Sequence, residues 1–320
     1  MATSQALVVA TFGRQTLVAK AFEPKSIEPK AQLDPAPQAT SFDIAHPLLA
    51  VTRGRRQDVL VGDLCEISLS SEDQAVIEAM HPRRNFVRRA DNYKTKSLAA
   101  NLDLIAVVVS GSPPCSEDLL FRILTAAQAE HLPCLIVVNK SDLEASAKFA
   151  KERLAWATLQ NQPYVLVSVK KQPEHALKVL SEHFKDKRVL LMGESGMGKS
   201  SLLNLLVPEA AAQTQEISRV LNAGKHTTTF ARLYPAGEAQ LGRCELIDTP
   251  GFQLFGLSYL SITELMRAVP EVEARLGQCR FSNCLHLGEP ACAVRAAAES
   301  GAFDPVRYKL FRELVPEAQR

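Results

Sequence analysis

Lys199 and Ser200 close the run Gly193-Glu194-Ser195-Gly196-Met197-Gly198-Lys199-Ser200, whose G-x-x-x-x-G-K-[ST] spacing is that of a phosphate-binding loop. Its glycines let the backbone turn N–H groups inward around phosphate oxygens, and a helix starting at Lys199 adds the positive end of its dipole. Lys199 is expected to pair with β- and γ-phosphates and the Ser200 hydroxyl to ligate magnesium.

Asn139-Lys140-Ser141-Asp142 directly follows the apolar run Cys134 to Val138, which puts it at a carboxyl end of a sheet, on the rim of the phosphate loop. Asp142 offers acceptor oxygens to the N1–H and 2-amino donors of guanine, both of which adenine lacks. Asn139 and Lys140 would tie the loop together and cover the base. Ser168, at the end of the run Tyr164 to Val167, is either a further contact to the base edge or a turn serine. Asp248-Thr249-Pro250-Gly251 ends another strand. Its aspartate would hold magnesium through water, and the Gly251 N–H would sense the γ-phosphate.

Gly224-Lys225-His226-Thr227-Thr228-Thr229 lies where a first switch belongs. One of its threonines would reach magnesium, and Thr228 and Thr229 are kept as nucleotide-contacting candidates. Phe252 stands where many GTPases carry the glutamine that orients the attacking water, so slow intrinsic hydrolysis is expected. His226 is the candidate to take that catalytic task, with a solvated loop histidine as the alternative. The guanine motif precedes the phosphate loop and the aspartate segment comes last, so the usual order of a GTPase is circularly permuted.

Cys279, Cys284, His286 and Cys292 form C-x4-C-x-H-x5-C within fourteen residues. Three thiolates and an imidazole suit one closed, structural zinc site with no position left for catalysis. Buried free cysteines are the alternative. Cys65, Cys115, Cys134 and Cys244 are scattered through apolar runs, which fits core residues in a reducing compartment rather than a disulfide framework.

Arg83, Arg84, Arg88 and Arg89 flank Phe86 in a stretch free of acidic residues, and Arg53, Arg55 and Arg56 form a second basic cluster. Such patches suit RNA, through phosphate contact and base stacking, with a solvated basic linker as the alternative.

Three regions are expected to position these residues. Residues 1–90 carry short strand-like runs (Ala6 to Thr11, Thr16 to Ala21, Leu48 to Thr52, Val59 to Val61, Leu64 to Leu69) around a proline-bearing loop, which suits an OB-type β-barrel or an SH3-like one. Residues 91–256 alternate apolar strands with helices, the pattern of a mostly parallel α/β sheet covered on both faces, with one long helix expected over Glu144 to Leu159. Residues 257–320 read as a mainly helical zinc-binding domain, beginning with a capping box at Ser261 and Glu264.

The chain has 320 residues, 46% of them hydrophobic and 22% charged, with a net charge of +2. Any nucleic-acid surface must therefore be local. With no apolar run long enough to span a bilayer and no secretion-signal pattern at its start, a cytoplasmic protein without membrane contact is expected.

Val51-Thr52-Arg53-Gly54-Arg55-Arg56, Val61-Gly62-Asp63, the phosphate loop continued through Ser201, Gly224 to Thr229 and the four zinc ligands together resemble the RsgA (YjeQ) family of circularly permuted GTPases. The resemblance covers nearly the whole chain and departs from the family in the proline-bearing segment from Phe22 to His46. It implies binding of GTP and GDP, and a GTPase that binds the small ribosomal subunit and its rRNA late in maturation, is stimulated by it and is monomeric. A nucleotide-tuned RNA-binding module, or a regulator of a non-ribosomal protein, would share much of this pattern.

Overall fold

The computed structural model describes residues 3–12, 15–22, 41–53, 58–91, 94–210, 231–237, 241–249 and 254–318. Near the N-terminus, β1 (Ser4–Phe12), β2 (Gln15–Phe22), β4 (Leu48–Thr52), β5 (Leu64–Leu69) and β6 (Gln74–Met80) close on one another, with the two-residue β3 (Ser41–Phe42) on the rim. β1 pairs antiparallel with β2 and β5, β5 with β6, and β2 with β4, while β4 and β6 run parallel. That parallel pair is the Greek-key closure of an OB-type barrel and excludes a simple meander. Alternate residues fill its interior: Ala6, Val8, Val18, Ala50, Cys65, Ile67, Ala75 and Ile77.

Two readings of this region are corrected. Val59 to Val61 is not a strand: Asp63 accepts the Leu60 N–H at 2.8 Å, and Gly62 at φ 93° turns the chain. The fifth barrel strand is instead β6, whose apolar run is short and interrupted by Glu78. The second correction is a hairpin, β7 (Phe86–Ala90) with β8 (Thr95–Ala100), where a basic segment and no strands are expected from the sequence.

The central sheet runs β11 (Tyr164–Leu166), β10 (Cys134–Val138), β9 (Leu104–Val109), β12 (Arg188–Met192), β14 (Glu245–Asp248), all parallel, with β13 (Arg232–Pro235) antiparallel at the edge. β13 also meets the barrel, Arg232 opposite Ala10 of β1. Every residue of β9 is buried, and its alternate side chains enter different cores. Ile105, Val107 and Val109 pack with α1 (Glu117–Ala129), whereas Leu104, Ala106 and Val108 pack with α4 (Pro173–Phe184) and α5 (Lys199–Leu206). The long helix expected after the guanine motif is broken at buried Leu154 into α2 (Glu144–Arg153) and α3 (Ala155–Leu159).

Four helices follow: α6 (Ile262–Arg267), α7 (Pro270–Glu273), α8 (Ala293–Glu299) and α9 (Pro305–Ala318). The capping box forms as expected, with Ser261 and Glu264 bonding reciprocally. Leu265, Phe303, Phe311 and Leu314 join the same core as α1, so the C-terminal helices share apolar interior with the central sheet. Buried Arg307 forms a bidentate pair with buried Glu271 and lies 3.8 Å from the centre of the Trp156 ring. No helix among the described residues is long and apolar enough to cross a membrane.

Candidate nucleotide cleft and metal centre

A cleft of about 610 Å³ opens at the carboxyl ends of the parallel strands. Its walls include Asn139, Lys140 and Asp142 after β10, Ser168 after β11, Ser195 to Ser201 in part, and Asp248 with Thr249 after β14. A parallel sheet places these loops on one rim although the segments are far apart in the chain.

Asn139 joins the two halves of the cleft. Its side-chain amide donates to the Met197 carbonyl at 3.0 Å, and its carbonyl oxygen accepts the Lys140 N–H at 2.8 Å and the Val169 N–H at 3.3 Å. Lys140 adds a second tie, its ammonium donating to Gly196 O at 2.8 Å and Ser112 O at 2.7 Å. Ser141 is held by its backbone, donating to Val167 O at 3.1 Å. Ser168, buried at the floor, donates to a carboxylate oxygen of exposed Asp142 and so restricts its rotation. The same hydroxyl accepts the Lys171 N–H at 3.4 Å, so Ser168 is a turn serine and a partner of the Asp142 carboxylate at once.

The phosphate loop leaves β12 at Gly193 and enters α5 at Gly198, with Met197 buried beneath it. Gly198 sits at φ 97°, and a Cβ there would lie 2.2 Å from Asn139 Nδ2; the guanine motif approaches so closely that only glycine fits. Lys199 is buried under the loop and donates to Gly193 O at 2.6 Å and Glu194 O at 2.8 Å. Burial pushes its pKa down, while the charges of Asp248 and Glu194 push it back up. Glu194 turns outward to accept the Ser116 N–H at 2.7 Å at the start of α1. Ser195 and Ser200 are exposed at the opening.

Asp248 is 6% exposed, and burial raises its carboxyl to about 6 despite the neighbouring Lys199 charge. Its Oδ1 is buried without a hydrogen-bond partner among the described residues, an arrangement that a hydrated cation between it and Ser200 would satisfy. Thr249 instead faces the sheet, donating to Leu191 O at 3.1 Å. His226, Thr227, Thr228, Thr229, Gly251 and Phe252 lie outside the described residues, as do Gly54, Arg55 and Arg56.

Cys279, Cys284, His286 and Cys292 bring their ligand atoms within 4.8 Å of one another. Cys279 Sγ lies 3.6 Å from His286 Nδ1 and 4.0 Å from Cys292 Sγ, and His286 Nδ1 lies 3.4 Å from Cys292 Sγ. A tetrahedron with the usual metal–sulfur and metal–nitrogen bonds has edges of about 3.6–3.8 Å, so the cluster fits one ion bound through Nδ1. The loop is fastened from outside: Tyr308 donates to His286 O at 2.9 Å, and Glu289 accepts the N–H groups of Leu285, Leu287 and Gly288. Burial works against the Glu289 charge, but those backbone donors together hold its pKa at about 2. Of the other cysteines, Cys65, Cys134 and Cys244 are buried and Cys115 is half-buried.

A family model described as RsgA GTPase matches residues 80–258. A relative in Paraburkholderia phytofirmans, named small ribosomal subunit biogenesis GTPase RsgA, is 48% identical over 84% of this chain and 85% of its own. The chain belongs to the RsgA GTPase family. Another so-named relative, in Burkholderia pseudomallei strain 668, is 42% identical over 99% of this chain and 93% of its own. Among solved structures, YjeQ from Thermotoga maritima superposes with a TM-score of 0.67 at 25% identity, covering 99% of both chains. YloQ, described as a circularly permuted GTPase, shares the fold with a TM-score of 0.65 at 22% identity, covering 99% of this chain and 96% of its own.

Within this RsgA-family cleft the sequence reading missed Leu143, Lys170 and Lys171 as lining residues. The two lysines directly follow Ser168-Val169, so the candidate base contact at Ser168 is the signal that could have found them. The basic segment around Phe86 is engaged within the protein. Arg83 grips buried Asp63 at 2.7 and 2.8 Å, Arg84 reaches Asp103 at 2.9 Å, and Arg88 meets Glu130 at 3.3 Å while its guanidinium lies over Phe86 and Tyr259. These arginines tie barrel, central sheet and C-terminal helices together. Arg53 pairs with Glu78 at 2.9 Å.

Proposed function

We propose that the protein binds the small ribosomal subunit and assists its late maturation, hydrolysing GTP to GDP and phosphate at a rate the subunit raises. The observation that carries this reading is the Asn139 bridge to Met197 O, which ties the loop of Asp142 to the Gly193–Ser200 loop in one cleft and supports a shared nucleotide site. The names of the relatives supply the subunit.

In this reading Asp142, oriented by Ser168, accepts the two guanine donors, and Lys140 with Lys171 covers the base. The N–H groups of Gly193 to Ser201 and the Lys199 ammonium hold the phosphates. Ser200 and Asp248 would hold magnesium, which when bound would supply positive charge against the phosphates. Gly251 N–H and a switch threonine, Thr228 or Thr229, meet the γ-phosphate side, and His226 orients the attacking water. Cys279, Cys284, His286 and Cys292 hold one structural zinc, and Arg53, Arg55 and Arg56 contact rRNA. The chain works as a cytoplasmic monomer divided near residues 90 and 256, with the β7–β8 hairpin as the joint.

GTP hydrolysis by the purified protein, measured alone, with small subunits and with large subunits, tests the proposal. Strong stimulation by small subunits only is expected. Equal rates in all three, with GTP binding intact, would overturn it.

A further inference from the structure

The loop that joins the first two cysteines of the metal cluster points a different chemistry outward. Between Cys279 and Cys284 stand Arg280, Phe281, Ser282 and Asn283, all exposed. Phe281 leaves 41% of its surface to solvent, although burying such a ring is favourable by about 1.5–3 kcal/mol. The Arg280 guanidinium stands 5.5 Å from its ring centre, within cation–π range, and ion-pairs with no carboxylate among the described residues. Residues 274–288 contain no aspartate or glutamate, while Arg275, Arg280 and His286 lie among them. The turn is pinned at its base, Cys284 N–H donating to Phe281 O at 3.3 Å and Arg280 N–H to Ala291 O at 3.3 Å.

A lone exposed phenylalanine is ordinary on a protein surface. Here it is combined with a guanidinium that has no ion-pair partner and an Asn283 amide that has no hydrogen-bond partner among the described residues, and with an acid-free run, on a short loop whose two ends are the proposed metal-ligand cysteines. We infer that the Arg280–Phe281 loop is a docking platform for an unpaired RNA nucleotide. The base stacks on the open face of Phe281, Arg280 meets the adjoining phosphate, and Asn283 reaches the base edge. An acidic protein surface would use the arginine but has no need of the open aromatic face. The inference rests on the proposed action at the small subunit and names a contact within it.

Binding of the full-length, metal-loaded chain to small subunits, with a non-hydrolysable GTP analogue, tests the platform. Phe281→Ala is expected to weaken binding about tenfold and Phe281→Trp to restore it, since stacking needs an aromatic face rather than phenylalanine itself. Arg280→Gln is expected to lower the salt dependence by about one phosphate contact. Metal content and GTP hydrolysis without subunits stay at the wild-type level in all three. A photo-cross-linking phenylalanine analogue at position 281 is expected to label rRNA. Unchanged affinity of Phe281→Ala, or labelling of a ribosomal protein instead, would overturn this inference and leave the proposed function standing. Absence of subunit binding by the wild-type chain would overturn both.

Discussion

The nucleotide cleft and the cysteine cluster are assembled in opposite ways. The cleft draws Asn139, Ser168, Lys199 and Asp248 from four loops of one sheet, and its internal bonds span up to 58 residues, as between Asn139 and Met197. The cluster collects all its ligands from a fourteen-residue stretch with little regular structure of its own. Long-range assembly makes the cleft as stable as the sheet beneath it. Local assembly would make the cluster dependent on the proposed ion, since a short loop buries too little apolar surface to hold three thiolates together.

The sharpest way to break that contrast is to remove the ion. Cys284→Ser, or chelation of the wild type, is expected to strip amide-exchange protection from α8 and the 279–292 loop, because structural zinc contributes on the order of 10 kcal/mol in small modules. GTP affinity measured alongside should fall by less than about tenfold. A comparable collapse at both sites would mean that the core shared by α1 and α9 couples them.

The cleft has its own weak points. Asp142→Asn replaces the acceptor-only group proposed to face two guanine donors, and GTP affinity is expected to drop by about 10³ with little change in melting temperature. Gly198→Ala forces a left-handed φ of 97° on a side chain and drives its Cβ against Asn139, so nucleotide affinity should fall about 100-fold, read by fluorescent-nucleotide titration.

A smaller effect follows from Asp248. Its folded-state pKa of about 6 lies above the ordinary 3.8, so the folded protein binds the proton more tightly than the unfolded chain does. Stability of the nucleotide-free protein should then decline as pH rises from about 4 to about 6, by about 2–3 kcal/mol from this group. Asp248→Asn should flatten that slope in urea unfolding across the same range. The smallest change is expected at the seam between central sheet and C-terminal helices. Glu317 accepts from Arg122 and from the Leu257 N–H, both at 2.5 Å, and Glu317→Gln should cost about 1–2 kcal/mol of unfolding free energy.

Legibility followed the range of the physics. Apolar runs such as Leu104–Val109, Cys134–Val138 and Arg188–Met192 read as strands to the residue, because burial on both faces leaves an unbroken hydrophobic signature. β6, β7, β8 and β13 escaped because polar or small residues break the apolar run in each, facing a neighbour that only the fold supplies. The break at Leu154 escaped because helical periodicity continues through it.

Residue type and spacing by themselves marked the candidate phosphate loop, the candidate guanine motif, the four candidate ligands of the cluster and the permuted order, since each motif depends on local backbone chemistry within a few residues. Only the tertiary structure decided that Ser168 holds Asp142, that Asn139 bridges to Met197, and that Arg83, Arg84 and Arg88 act as internal ties. A hydrogen bond or ion pair is directional and acts over a few ångströms, so its partner is chosen by the folded geometry and leaves no periodic trace in the chain.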